Sequence, residues 1–339
     1  MLDIFNDDAF GVVSLTDTIN DATFVPGYTR SLGIFQETST SKLTVAVEKK
    51  GDILVLIPPS PRGAPGTTID KEKRDIRSLD IKHFEVDDAI YADEVQGVRK
   101  LGSENEMETL IDKIVERNMT IRRSFEATHE HLRMGAMKGI IAYADGTTDD
   151  LFSFFGVTQD SEIGWDFANK KDGNVRAQCA AVYRTTATDL GAIPFTSILA
   201  LCSDSFYDAL IKNAEVRETY LAQQEATDLR SGYVGNGQSG AFGAFTFGGI
   251  TWINYRGAVG GTDFIADDKA HFVPLGVPGL FRSVAGPADW NETVNTVGVP
   301  LYAKLREMDN GKGWHYEIQS NIVHYCTRPK VLKKGKLGA

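Results

Sequence analysis

Gly235-Asn236-Gly237-Gln238-Ser239-Gly240 matches G-x-G-x-x-G, a pattern that lets backbone approach a dinucleotide phosphate. That chemistry needs a strand before the glycines and a helix after them, because the phosphate sits at the helix N-terminus. Here Ala222 to Leu229 precedes and the aromatic strand-like run Phe242 to Phe247 follows. The segment therefore reads as a surface loop. His129-Glu130-His131 could offer two imidazoles to a metal. Ligation from one helix face needs a spacing of three or four, and i, i+2 sends the rings to different faces. A solvated role, or packing between helices, is expected. His83, His271, His315 and His324 have no cysteine or paired acid at ligand spacing. Asp87-Asp88, Asp149-Asp150 and Asp267-Asp268 could serve a hydrolase that needs two carboxylates. They fall near strand or loop boundaries and read as solvated turn acids. No serine lies in G-x-S-x-G. Phe242, Phe245, Phe247, Trp252 and Tyr255 could stack bases or sugars, with core and cross-strand packing as the expectation. No catalytic residue, cofactor or metal is predicted.

The 339 residues carry a net charge of −10, with 42% apolar and 24% charged residues. That composition supports a globular core and two or three domains. The longest aliphatic run is Ile53 to Ile57, far short of the roughly 20 residues of a spanning helix. Met1 to Asp8 is acidic and does not read as a secretory signal, so no membrane role and a cytoplasmic chain are expected. Cys179, Cys202 and Cys326 form no C-x-x-C pair and read as buried reduced thiols. The acidic balance argues against gripping nucleic acid by its phosphates. Only Lys330 to Lys336 is clearly basic; it could touch nucleic acid or an acidic partner surface, and reads first as a solvated, frayed terminus.

Four regions must position whatever site exists. Residues 1 to about 40 have too few apolar residues for a core. Thr44 to Glu48 and Ile53 to Ile57 read as a β-hairpin around Lys49-Lys50-Gly51-Asp52. Pro58 to Gly66 follows with four prolines, which forbid helix and regular pairing. A hairpin without its own core must lie on something else. Ser103 and Glu106 make a capping box for a helix over about 103–134, with Met107, Leu110, Ile111, Ile114 and Val115 on one face. At 1.5 Å per residue it is a rod of about 45 Å. Met137 to Tyr143 and Leu151 to Val157 read as a hairpin around Asp145-Gly146. Later come helices over Val175 to Thr188, Ser203 to Asn213 and Val216 to Gln224, and a buried strand Ile198 to Cys202. Hairpins are predicted at Gly248-Gly249 and at Asp309-Asn310-Gly311.

This order of arm, projecting hairpin, long helix and compact mixed domain resembles the shell subunit of tailed phages and herpesviruses. Phe24-Val25-Pro26-Gly27 with Leu32-Gly33-Ile34-Phe35 is similar to the arm of lambda-like major capsid proteins, the phage capsid E family. Ile57-Pro58 with Pro61 to Gly66, and Asp93 to Arg99, resemble that family's extended loop and its approach to the spine helix. Phe264 to Asp267 and Phe272 to Gly276 resemble, more loosely, its return from the axial domain. The resemblance covers nearly the whole chain.

The resemblance implies an α+β tailed-phage/herpesvirus-type major capsid fold. Its parts would be an N-terminal arm (1–40), an extended β-hairpin loop (41–90) and a peripheral domain (91–189) with spine helix 103–134. An axial domain (190–285) and a return with a basic tail (286–339) would complete it. It implies a non-enzymatic head protein that self-assembles as pentamers and hexamers into an icosahedral shell around double-stranded DNA, located in the virion after assembly in the host cytoplasm. Scaffold, decoration and portal proteins are implied partners, with DNA nearby but not read by sequence. Contacts between copies are expected at Lys49, Pro58, Arg62, Arg99, Arg117, Arg122 and Arg123. The competing readings are another virion structural protein, such as a tail or decoration component, and a hydrolase using the acid pairs.

Overall fold

The computed structural model describes residues 27–50, 74–95, 110–168, 173–191, 193–217, 241–259 and 261–338. In chain order the elements are α1 (Tyr28–Ser31), β1 (Phe35–Ser39), β2 (Thr44–Lys50), β3 (Arg74–Asp80), β4 (His83–Tyr91), α2 (Leu110–Lys138), β5 (Ile140–Ala142), β6 (Thr148–Asp150), α3 (Leu151–Phe155) and β7 (Ile163–Trp165). There follow α4 (Asn174–Leu190), β8 (Ser197–Cys202), α5 (Asp204–Lys212), β9 (Ala241–Phe247), β10 (Ile250–Tyr255), β11 (Lys269–Leu275), β12 (Phe281–Ala285), β13 (Tyr302–Glu307), β14 (Gly313–Cys326) and β15 (Lys333–Leu337).

Two sheets organise these elements. One runs β1-β12-β14-β13, with β4 also on β14. Strand β14 is its hub: residues 313–321 pair with β4, and residues 322–326 with β12. Helix α2 packs on it, with Ile121 and Phe125 against Tyr316 and Ile318. The other sheet runs β7-β15-β11-β8-β10-β9. Because strand side chains alternate, β8 sends Leu199 and Leu201 to one core and Ile198, Ala200 and Cys202 to the other. The first core also holds Leu132, Met134 and Met137 of α2 with Phe281 and Val323. The second is aromatic: Trp165, fully buried, meets Phe167, Phe206, Trp252 and Phe272 at centroid distances of 5.3–6.2 Å.

Several expectations change. Strand β2 runs through the anticipated turn at Lys49-Lys50 and pairs antiparallel with β3, Thr44 opposite Asp80 and Lys50 opposite Arg74. Ile53 to Ile57, its expected partner, lies outside the described residues. The polar Arg74–Asp80 can form a strand because only one face of the ladder is covered: Val47 and Leu79 are buried, whereas Ile76 is exposed.

The long helix covers Leu110–Lys138, and the Ser103 cap lies outside the described residues. It does not stop near 134, because Gly135 serves packing: a Cβ there would come within 2.8 Å of the Ile141 Cα. The anticipated hairpin shrinks to β5 and β6. Leu151–Phe155 is helical because Asp150 accepts from the Phe152 and Ser153 amides at its start and Gly156 (φ 62°) ends it.

Lys330 to Lys336 is no frayed tail. Strand β15 lies inside the six-stranded sheet, between β7 and β11. Lys333 is buried and bonds Asp160 and Asp189. Lys334 and Lys269 both reach Glu162, at 2.7 and 2.6 Å, and hold its carboxyl down at about 2. Charge density along the sequence suggested solvent, but three acids contributed from elsewhere in the fold neutralise it. The α4, β8 and α5 elements, the two later hairpins and the three buried, unpaired cysteines follow expectation. Of Val216 to Gln224, the described residues 216–217 are helical.

Candidate functional site

Glu130 lies on the face of α2 that also carries Met134 and Met137, and it is fully buried. Its carboxylate accepts from the Thr29 amide at 2.9 Å, the Thr29 hydroxyl at 2.6 Å and the Tyr255 hydroxyl at 3.0 Å. Burial, with the Glu130 charge beside it, pushes the Tyr255 hydroxyl far above its ordinary pKa. Three distant parts of the chain, residues 28–31, α2 and β10, are thus tied at one carboxylate. Of the solvated or inter-helix role expected for His129-Glu130-His131, the inter-helix part holds for Glu130, which ties α2 to α1, whereas His129 and His131 turn toward strands β14 and β5. The i, i+4 and i, i+7 relation of Glu130 to Met134 and Met137 was the available signal.

The two imidazoles diverge as i, i+2 requires. His131 Nε2 meets the Ala142 carbonyl at 2.9 Å. His129 Nε2 meets Ser320 Oγ at 2.8 Å, and its Nδ1 is 3.3 Å from His324 Nε2; Ser283 Oγ is 2.7 Å from His324 Nδ1. Burial lowers His129 to about 4, helped by Arg133 and Arg30. Burial also lowers His324 well below its usual value and His271 to about 3. These three imidazoles are neutral in the fold at pH 7.

A prediction follows from the sign of those shifts. The unfolded chain binds more protons than the native one below about pH 6.5. Stability is therefore full above that pH and falls as pH drops toward 4 and then 3, by on the order of 3 kcal/mol for His129 alone. His83 opposes this weakly: burial lowers it, but its bonds to Glu85 and Asn321 outweigh that and raise it, and it is exposed. Urea midpoints measured between pH 7.5 and 4 should fall steeply, and less so in His129→Gln. A flat profile would contradict it.

His83 is also where the reading of isolated histidines fails. Strand β4 puts His83 beside Glu85, Nε2 to Oε2 3.1 Å, and the chain after β12 brings Asp289 to 3.9 Å. This exposed group could offer a cation one nitrogen and two carboxylate oxygens. Asn321 and Gln319 already engage it, at 2.7 Å to His83 and 2.6 Å to Asp289. The acid pairs have structural partners. Asp88 faces Arg117 at 3.7 Å from within β4 and not from a turn, Asp149 accepts from Tyr143 at 2.6 Å, Asp150 caps α3, and Asp267 accepts from Ser205. Phe245, Phe247, Trp252 and Tyr255 are buried in the cores, as packing requires.

The expected contact residues do not converge on one site. Arg117 reaches Asp88 and, at 3.8 Å, Glu94. Arg122 stands 4.0 Å from Glu126, and Arg123 is exposed on the same helix. Lys49 lies in β2, and its side chain is outside the described ones. Pro58, Arg62 and Arg99 lie outside the described residues. What the surface does show is large apolar side chains left in the open. Leu43 and Ile76 border and line the β2–β3 ladder at 71% and 62% exposure, and Val294 and Val297 follow β12.

A family model described as phage major capsid protein E matches residues 11–337. The chain belongs to the phage major capsid protein E family. The major capsid protein of Salmonella phage Felix O1 is 27% identical over 95% of both chains. That of Pseudomonas phage KPP10 is 28% identical over 95% of this chain and 96% of its own. Among solved structures, a prophage protein of E. coli CFT073 assigned to the capsid aligns over 93% of both chains with a TM-score of 0.56 at 14% identity. The capsid of Myoviridae phage XM1 aligns over 92% of both with a TM-score of 0.50 at 11% identity. These likenesses place the subunit in the α+β, HK97-like capsid fold. The protein is the major capsid protein of a tailed phage, forms its icosahedral shell, and is structural and not an enzyme. It resides in the virion capsid. The hydrolase reading is thereby set aside, as is that of a tail or decoration component.

Proposed function

We propose that this capsid protein gathers as pentamers and hexamers, assembled in the host cytoplasm, around double-stranded DNA that it does not read by sequence. In this reading residues 1–40 are an arm and 41–90 a loop laid over a neighbouring copy. Residues 190–285 surround the five- and six-fold axes, and the spine helix with β14 forms the periphery. Lys49, Pro58, Arg62, Arg99, Arg117, Arg122 and Arg123 contact other copies. Scaffold, decoration and portal proteins are its further partners. The −10 charge supports a shell that does not hold its genome tightly.

The observation that carries this reading is the β2–β3 ladder. Its buried residues Val47 and Leu79 anchor it to the first core, yet Leu43 and Ile76 are bare. Exposed apolar surface of this kind marks a contact, and subunits that close by symmetry can bury it on a neighbour. Replacing residues 51–73 by a short Gly-Ser linker should leave a folded subunit by circular dichroism but no closed particles in electron micrographs. Ile76→Glu combined with Leu43→Glu should do the same without shortening the chain. Normal shells from both variants would refute the assignment.

A further inference from the structure

The chain between β12 and β13, residues 286–301, holds three large apolar side chains in the open: Val294 at 63% exposure, Val297 at 66% and Val299 at 44%. Its own bonds keep them there. Thr293 Oγ1 donates to the Ala288 carbonyl and Thr296 Oγ1 to the Thr293 carbonyl, each at 2.8 Å. The Val299 amide donates to the Tyr302 hydroxyl at 3.1 Å, and Trp290 meets that tyrosine ring edge-on at 6.0 Å. Asn295 takes a left-handed φ of 59°, which asparagine tolerates better than most residues. The Gly298 amide donates to the Thr40 carbonyl at 3.0 Å. A Cβ at Gly298 would come within 2.4 Å of the Gly286 carbonyl, so this closure needs glycine. A loop already ordered loses little entropy when a partner covers it.

Charge indicates what that partner is. Thr293 to Ala303 are eleven consecutive uncharged residues in a chain that is 24% charged and carries −10 overall. Copies of one acidic chain repel, so they approach most easily where neither bears a charge, and the centre of an interface is depleted of charged residues. A basic partner would instead be met by an acidic face. The shell is built from copies of this chain, which bury such patches on one another by symmetry. The valines offer roughly a few hundred Å², well below the ~800 Å² per partner of a stable pair. They cannot join two free subunits, but they can act beside the other contacts of a shell. We propose that Val294, Val297 and Val299 form an apolar contact with a second copy of this chain in the assembled shell. This rests on the shell-forming role, and not on the pentamer and hexamer arrangement or on the β2–β3 ladder contact.

The test uses the full chain in shells formed in the cell. An alkyl diazirine side chain is encoded in place of Val297 or, should that block assembly, of Val299. Irradiating the shells should give covalent multimers of this chain, with the joining peptides read by mass spectrometry. Val294→Asp with Val297→Asp should leave the thermal midpoint of the free subunit almost unmoved, because both positions face solvent there. The same variant should lower the yield of closed particles at least about tenfold, because each contact would bury unpaired charge. Val294→Ser with Val297→Ser should lose yield in the same direction, and it decides the matter if the aspartate variant does not fold. Undiminished shells from a folded variant overturn the proposal. So does a photoproduct confined to one chain, one formed with a different virion protein, or none. Micrographs of the unaltered shell report the arrangement of its capsomers separately, so failure of that reading is distinguishable from failure of this contact.

Discussion

Replacing Glu130 by alanine is expected to destabilise the subunit by on the order of 3–5 kcal/mol, the scale of breaking a buried, fully hydrogen-bonded charge. Two donors on Thr29 and one on Tyr255 would be stranded where water does not replace the carboxylate. Thr29 is itself fully buried, so residues 28–31 would release before the rest unfolds. Glu130→Gln keeps the shape but sets an amide N–H₂ against donors, and should cost about 1–3 kcal/mol. Urea midpoints give the energies, and amide exchange at Thr29 gives the order of events. A cost below about 1 kcal/mol for alanine, with Thr29 still protected, would show that Glu130 is not the tie. Because a marginally stable domain has only about 5–15 kcal/mol to lose, the alanine variant should also give few shells.

Lys333→Met should be nearly as damaging, at about 3 kcal/mol. Methionine fills much the same volume, so the loss is one of charge. Asp189, 12% exposed in its side chain, would keep only Lys330, at 3.2 Å, among the described cations. Asp160 is 46% exposed in its side chain and can be rehydrated, which holds the cost to the lower end. The informative comparison is Lys333→Met with Asp189→Leu. Removing both partners of a buried pair is far less harmful than removing one, so the double variant should regain more than half of the lost stability. If it is worse than Lys333→Met alone, packing of β15 and not the ion pair is responsible.

The sequence by itself determined the local elements and, through resemblance, the family. The apolar run Ile198 to Cys202 identified β8 as a buried strand, Ser203 or Asp204 as a cap marked α5, and Gly248-Gly249 and Asn310-Gly311 marked hairpins, because these depend on residues a few positions apart. The kinship carried by residues 24–35, 57–66 and 93–99 pointed to a shell subunit before any site geometry was known. Long-range partners decided the rest. Strand β2 pairs with the polar stretch Arg74–Asp80, a partner 24 to 36 residues on that no local pattern marks. Lys333 looked solvated until Asp160 and Asp189, 173 and 144 residues away, came to meet it. Glu130 read as solvated or packed between helices, and its partners Thr29 and Tyr255 come from 101 and 125 residues away. A buried charge is stable only with its partners present, and those partners are brought together by tertiary folding, not by spacing along the chain.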